Sequence, residues 1–210
     1  PHLGDTDTVK LAACFAGIKE LRRIEAMGAA ITALKNEDAG VRIEAVGVIG
    51  WLQDEGCLPA LRDAAKDLDP NVRRTALAAL GFSKSEYAEA TWIAALNDPE
   101  WLVREAAAET LAKAGGTESV AALRVAIEDE FWQVRVKAVR SLGKMKAVEA
   151  ALEIAPMMDL LIPNLRKECA AVLGEMAAPE TRPYLEKYVD DTDPDVRKNV
   201  RWALGKIDAQ

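Results

Sequence analysis

Aliphatic positions recur along this chain in an alternation of two helical patterns, separated by short polar connectors. In the first pattern one apolar column runs through Val41, Val72, Val103, Val134, Leu165 and Val196, and a second through Ile49, Leu80, Leu111, Leu142, Leu173 and Leu204. Between them lie slimmer residues, Ala45, Ala76, Ala107, Ala138, Cys169 and Val200. Such positions share one arc of a 3.6-residue wheel, so the pattern predicts an amphipathic helix that a neighbour can approach closely. The second pattern carries Ala30, Leu61, Trp92, Leu123, Ile154 and Leu185, then Leu34, Ala65, Leu96, Ile127, Met158 and Val189, and predicts a partner helix. Every column steps by 31 residues. A period of that size marks a stacked array of helical hairpins, in which no hairpin buries its apolar face alone and stability comes from neighbouring interfaces.

Polar punctuation sets the unit boundaries. Asp38, Asp69, Glu100 and Asp193 stand as N-caps, with Pro70 and Pro194 at the first helical position, while Phe131 and Ile162 break that column. Gly50, Gly81, Gly143, Gly174 and Gly205 predict glycine exits where the chain turns back, Ala112 being the exception. Asn36, Asp67, Asp98, Asp129 and Asp191 recur in the connectors. Arg42, Arg73, Arg104, Arg135, Arg166 and Arg197 each follow the cap position by four residues and are expected to pair with a neighbouring connector carboxylate, a stacking role rather than a binding one. The expected layout is one continuous domain, 1–210. It has an N-terminal helix pair over 5–37, full repeats over 38–68, 69–99, 100–130, 131–161 and 162–192, and a final unpaired helix over 193–207. In the first pair, Asp5 or Asp7 caps a helix with Val9, Ala12, Ala13 and Ala16 as its stripe; the second turns Met27, Ala30, Ile31 and Leu34 inward. Pro156, Met157, Met158 and Pro163 predict a distorted helix end.

Composition narrows the class. Half of the 210 residues are hydrophobic and only 5% aromatic, which suits a close-packed all-α core. The net charge of −7 has the wrong sign for phosphate neutralisation and argues against a nucleic-acid partner. Cys14, Cys57 and Cys169 are odd in number and lack a Cys-x-x-Cys spacing, so neither a disulfide framework nor zinc is expected. No apolar run approaches bilayer length and no leader pattern opens the chain, although a chain starting at Pro1 lends a missing leader little weight. The expectation is a reduced, soluble, cytoplasmic protein with no membrane partner.

The run Asp69-Pro-Asn-Val-Arg-Arg-Thr-Ala-Leu-Ala-Ala-Leu-Gly81, rewritten at every unit, resembles the short HEAT-like repeats associated with phycobilisome lyase subunits, over about Asp5 to Ile207. The resemblance implies an α-solenoid, a right-handed superhelix of antiparallel helix pairs whose second helices line a concave side. It places Tyr87, Thr91, Ala94, Glu118, Ala122, Val125, Glu149, Glu153 and Tyr184 on that side, with the tyrosines as anchors in a weakly polar groove edged by glutamates. Such a groove suits another protein or peptide, with a basic or helical segment. The alternative implied is a bilin lyase-like subunit that handles a tetrapyrrole.

Other chemistry is thin. The only histidine is His2, which leaves no Ser-His-Asp or Cys-His arrangement and no match to the His-Glu pairs that hold iron in HEAT-repeat hydroxylases. Asp191, Asp193 and Asp195 alternate like calcium ligands, but Val196 and Trp202 stand where that loop needs Gly and Glu. No catalytic residue, metal or cofactor is therefore expected. Trp101 and Trp132, 31 residues apart with Phe131 beside them, form an aromatic edge that either seals a loop layer or meets a partner. Trp202 on the last helix is expected to cover the open end, with self-association there as the alternative. The overall expectation is a non-enzymatic scaffold.

Overall fold

A computed structural model describes residues 7–21, 24–83 and 86–209, with side chains for 7–17, 25–83 and 88–209. The Asp5 cap and the Tyr87 side chain lie outside the described residues. Among the described residues all regular structure is helical, without strands: α1 (Thr8–Leu21), α2 (Met27–Ala33), α3 (Ala39–Leu52), α4 (Leu58–Ala64), α5 (Pro70–Ala79), α6 (Glu86–Ala95), α7 (Trp101–Leu111), α8 (Thr117–Ala126), α9 (Trp132–Lys144), α10 (Ala151–Ile154), α11 (Pro163–Met176), α12 (Arg182–Glu186) and α13 (Pro194–Asp208). Short 3-10 turns lead into α2, α4, α10 and α12. The protein is an α-solenoid of helix pairs. None of its described helices is long and apolar enough to cross a membrane.

The chain forms two compact units, Pro1–Ala114 and Gly115–Gln210. Within the first, α1, α3, α5 and α7 pack in succession as one layer, and α2, α4 and α6 pack on α3, α5 and α7 from the other side. Within the second, α9, α11 and α13 form the successive layer, and α8, α10 and α12 pack on them in the same manner. The core follows the periodic columns. Val41, Val72, Val103, Val134, Leu165 and Val196 are 0% exposed, as are Ala45, Ala76, Ala107, Ala138, Cys169 and Val200. Trp92 is buried as well, and its indole N–H donates to the Leu77 carbonyl at 3.0 Å, which removes the cost of burying that donor.

The helix exits differ from the expectation. Gly50, Gly143 and Gly174 lie inside α3, α9 and α11, and their backbone is not left-handed. What requires glycine there is proximity. A Cβ on Gly50 would lie 2.6 Å from Ala79 Cβ, one on Gly143 would lie 2.8 Å from Val172, and one on Gly174 would lie 2.8 Å from the Ala203 Cα. The left-handed exit comes three residues later, at Gln53 (φ 56°), Gly115 (φ 72°), Lys146 (φ 55°) and Ala177 (φ 49°), which share one repeat register. Glycine is thus used for helix-on-helix contact, and mostly non-glycine residues bear the strained turn.

The first pair also departs from its pattern. Val9 is 77% exposed and Ala13 is exposed, while Leu11 and Phe15 are buried. Among the described residues α1 packs on α3 as its neighbour in that layer. Ile31, expected inward, is exposed, and Ala26, Ala30 and Ala33 fill the buried face of that hairpin. Of the acidic caps, Asp38, Asp69 and Asp193 accept backbone N–H bonds at their helix starts, but Glu100 does not. The distorted unit is present: α10 is one turn long and passes at Ala155 into a 3-10 stretch, Ala155–Asp159, with Pro156 at its start.

Candidate functional site

The connector arginines come first because they recur. Arg73 donates from Nε and Nη2 to Asp98 Oδ2 and Oδ1, both at 2.7 Å, and from Nη1 to the Asp67 and Leu68 carbonyls at 2.9 and 3.1 Å. Arg42 repeats this on Asp67 at 2.8 and 2.7 Å, and Arg166 lies 2.9 Å by Nε from Asp191 Oδ2. Each guanidinium therefore clamps its own connector by carbonyls and the next connector by a carboxylate. The carboxylate has a second duty: Asp67 Oδ1 accepts from Asp69 N and Asp191 Oδ1 from Asp193 N, both at 2.8 Å, fixing the turn into the following helix. Burial pushes the Asp67 carboxyl up, but the hydrogen bonds from Arg42 and Asp69 and the charges of Arg42 and Arg73 together hold it below the usual aspartate range. Asp191 is lowered in the same way against its burial, by Asp193 N–H, Arg166 and Arg197. Arg104, 7% exposed, donates to the Asp98 and Pro99 carbonyls, and Arg197 to those of Asp191 and Thr192.

The second-helix face carries the residues that vary. In the first unit, Thr91 is half-buried and Ala94 exposed; with Arg62, Lys66, Arg73 and Asp98 they line a groove of about 420 Å³ between α4 and α6. In the second unit, Glu118 and Glu149 are exposed, Ala122 is half-buried and Val125 is 76% exposed. Leu152, beside Glu153 on α10, is 53% exposed. Glu153 is not an open groove-edge charge: Arg124 Nε donates to both its oxygens, at 3.0 and 2.9 Å, joining α8 to α10. The Arg124 hydrogen bonds hold its carboxyl below the usual range. Tyr184 is half-buried, with Lys187 Nζ 5.2 Å from its ring centre.

A second groove, of about 430 Å³, opens beside that pair and is lined by Ile127, Glu128, Arg135, Glu153, Met157 and Leu160, among others. It occupies the repeat register of the first groove two units on. Sequence reasoning named Thr91 and Ala94 of the first groove and Glu153 of the second, but missed the part Arg135 plays, although the signal was present in the connector column, which has no acid at Leu160. The nearest carboxylate in the chain, Asp159, instead accepts from the Tyr188 hydroxyl at 2.6 Å, and burial together with that bond pushes the Tyr188 phenol up to about 12.

The aromatic candidates are distributed over both units: Trp101 is half-buried at the start of α7 in the first, and Phe131 and Trp132 are half-buried at the start of α9 in the second. Trp202 lies over Gly174 of α11, 44% exposed, with Lys206 Nζ 5.6 Å from its ring centre. Cys169 is fully buried, and burial pushes its thiol far above the usual range, away from the nucleophilic thiolate. Among the described residues no group of His, Cys, Asp and Glu is arranged to hold a metal ion.

Comparison with solved structures gives the same fold. Human deoxyhypusine hydroxylase in complex with glycerol is similar over 99% of this chain and 82% of its own, at 22% identity and a TM-score of 0.52. The complex of CpcE and CpcF of phycocyanin lyase from Nostoc sp. PCC7120 is similar over 86% of this chain and 75% of its own, at 23% identity and a TM-score of 0.63. An engineered protein is similar over 99% of this chain and 66% of its own, at 18% identity and a TM-score of 0.67. At these identities the likeness is one of fold. A search of curated proteins gives no match. The sequence pattern of HEAT repeats matches residues 27–91, 89–161 and 154–210, and the chain therefore belongs to the HEAT repeat family.

Proposed function

We propose that this protein is a non-enzymatic scaffold that binds another polypeptide along its second-helix face, the concave side in the family's geometry. The observation that supports this reading is the pair Val125 and Leu152, 76% and 53% exposed on neighbouring helices α8 and α10. The Arg124–Glu153 pair ties those two helices together beside them. Apolar side chains left exposed on adjacent helices, outside the buried columns through Val134 and Ala138, form a seat for the apolar stripe of a partner helix. Exposed Glu118 and Glu149 would meet basic residues on that helix. Because the helices are already packed, binding orders little of the scaffold, and more of the contact energy appears as affinity.

The test is affinity capture with the wild type and a Val125→Lys/Leu152→Lys variant, beside addition of a bilin to the purified protein. The scaffold reading expects a discrete polypeptide held by the wild type and lost from the variant, with no visible-band shift. Retention by the variant would refute the proposed face. A bilin band shift with no polypeptide held would move the chain to the lyase-like class.

A further inference from the structure

The connector ladder is broken at one place, and the break opens onto a groove. Arg42, Arg73 and Arg166 each have an aspartate 25 residues further on, at Asp67, Asp98 and Asp191, within 2.7 to 2.9 Å of the guanidinium. The residue at that position for Arg135 is Leu160. Arg135 donates from Nε to the Asp129 carbonyl, and its two Nη groups have no acceptor among the described residues. The carboxylate one residue earlier, Asp159, is turned to Tyr188, with Lys187 Nζ 3.8 Å away. The change is local in origin. Pro156 and the 3-10 stretch Ala155–Asp159 replace the ordinary end of the second helix, and the connector acid no longer reaches back to the preceding arginine.

Arg135 lies at the wall of the second groove, with Ile127 and Met157 as apolar neighbours. Two carboxylates share that wall: Glu153, held by Arg124, and Glu128, exposed and outside ion-pair distance of Arg135. A guanidinium with both Nη groups open in a partly shielded site is complementary to a carboxylate, which it can grip through both oxygens. We propose that the Arg135 groove binds an aspartate side chain of the partner polypeptide, which fills the place that Asp98 fills beside Arg73. The partner segment would carry that aspartate next to an apolar residue seated on Ile127 and Met157. The inference rests on the scaffold reading, since it assigns one anchor point to that partner.

The probe is a peptide with blocked ends that copies the connector Asn97-Asp98-Pro99-Glu100-Trp101, titrated at millimolar concentration while the side-chain Nε–H resonance of Arg135 is followed by NMR. The expected result is a saturable shift, lost when the peptide carries asparagine in place of Asp98. Arg135→Met should weaken binding by about 10-fold or more. Leu160→Asp supplies the missing carboxylate within the chain, so it should raise the melting temperature and abolish the shift, a readout that does not depend on a damaged fold. No saturable shift in the wild type, or peptide binding at wild-type strength in Arg135→Met or Leu160→Asp, would overturn the proposal. Capture through Val125 and Leu152 is measured separately, so a failed anchor and a failed scaffold reading give different results.

Discussion

Replacing Arg73 by Leu keeps much of the apolar stem but removes the guanidinium that joins two connectors. Four bonds are lost: two to Asp98 at 2.7 Å and two to the Asp67 and Leu68 carbonyls at 2.9 and 3.1 Å. The side chains of the ion pair are only 12% and 10% exposed, so water replaces little of what is removed. Asp98 keeps the bond from Glu100 N at 2.9 Å, which places the cost at the lower end for a broken shielded pair, about 3 kcal/mol. Arg140 provides the contrast. It holds Glu168 at 2.8 and 2.6 Å, but its side chain is 41% exposed, and Arg140→Leu should cost about 0.5 to 1 kcal/mol. For a chain of this size the corresponding drops in melting temperature are about 6 to 12 °C and about 1 to 4 °C. Repeat arrays can unfold in stages, so urea titration followed by circular dichroism should be joined to native-state hydrogen exchange on both variants. A double-mutant cycle with Asp98→Leu should return a coupling of about 2 kcal/mol. Equal losses in the two arginine variants, or a coupling near zero, would refute the account of the ladder.

Two further predictions come from backbone and charge. Ala177→Gly relieves a left-handed alanine and should stabilise by about 0.5 to 1 kcal/mol, whereas Gly143→Ala drives a Cβ into Val172 and should destabilise by about 1 to 3 kcal/mol; thermal melts of both check the reassigned roles of these positions. Asp67 and Asp191 have lowered carboxyl pKa values in the folded protein, so their contribution to stability is complete above the usual aspartate value of about 3.9 and is lost as pH falls through the lower folded values. Stability should therefore hold from neutral pH to about 5 and fall below about 4, with a smaller acid loss in an Arg42→Leu/Arg166→Leu variant. The same acid loss in wild type and variant would contradict this.

The columns at Val72, Ala76 and Leu80 were legible because burial on a helix face imposes a period that survives in sequence. The roles of Gly50, Gly143 and Gly174 were not, since a glycine near a helix end satisfies two demands, a left-handed exit and a close neighbour, and only the backbone angle separates them. The Arg124–Glu153 pair was hidden for a related reason. Its residues are 29 apart, off the 31-residue register, because side chains on adjacent helices meet according to reach and helix angle. Leu11 and Phe15 were missed because α1 does not carry the 31-residue columns that define the other units, Lys10 standing where the Val41 column would continue. Leu160 was readable as a gap in the acid column, but its consequence needed the groove that the 3-10 stretch opens beside Arg135.

If the second-helix face receives a partner and the first-helix face does not, then a photo-crosslinking side chain placed at Val125 or Leu152 should capture that partner, and one placed at Glu175 on α11 should not. The measurement is made on the full chain in extract of its native host, with adducts resolved by mass. The account predicts one discrete polypeptide adduct from Val125 and Leu152 and none from Glu175. Equal adducts from all three positions, or none from the first two, would contradict it.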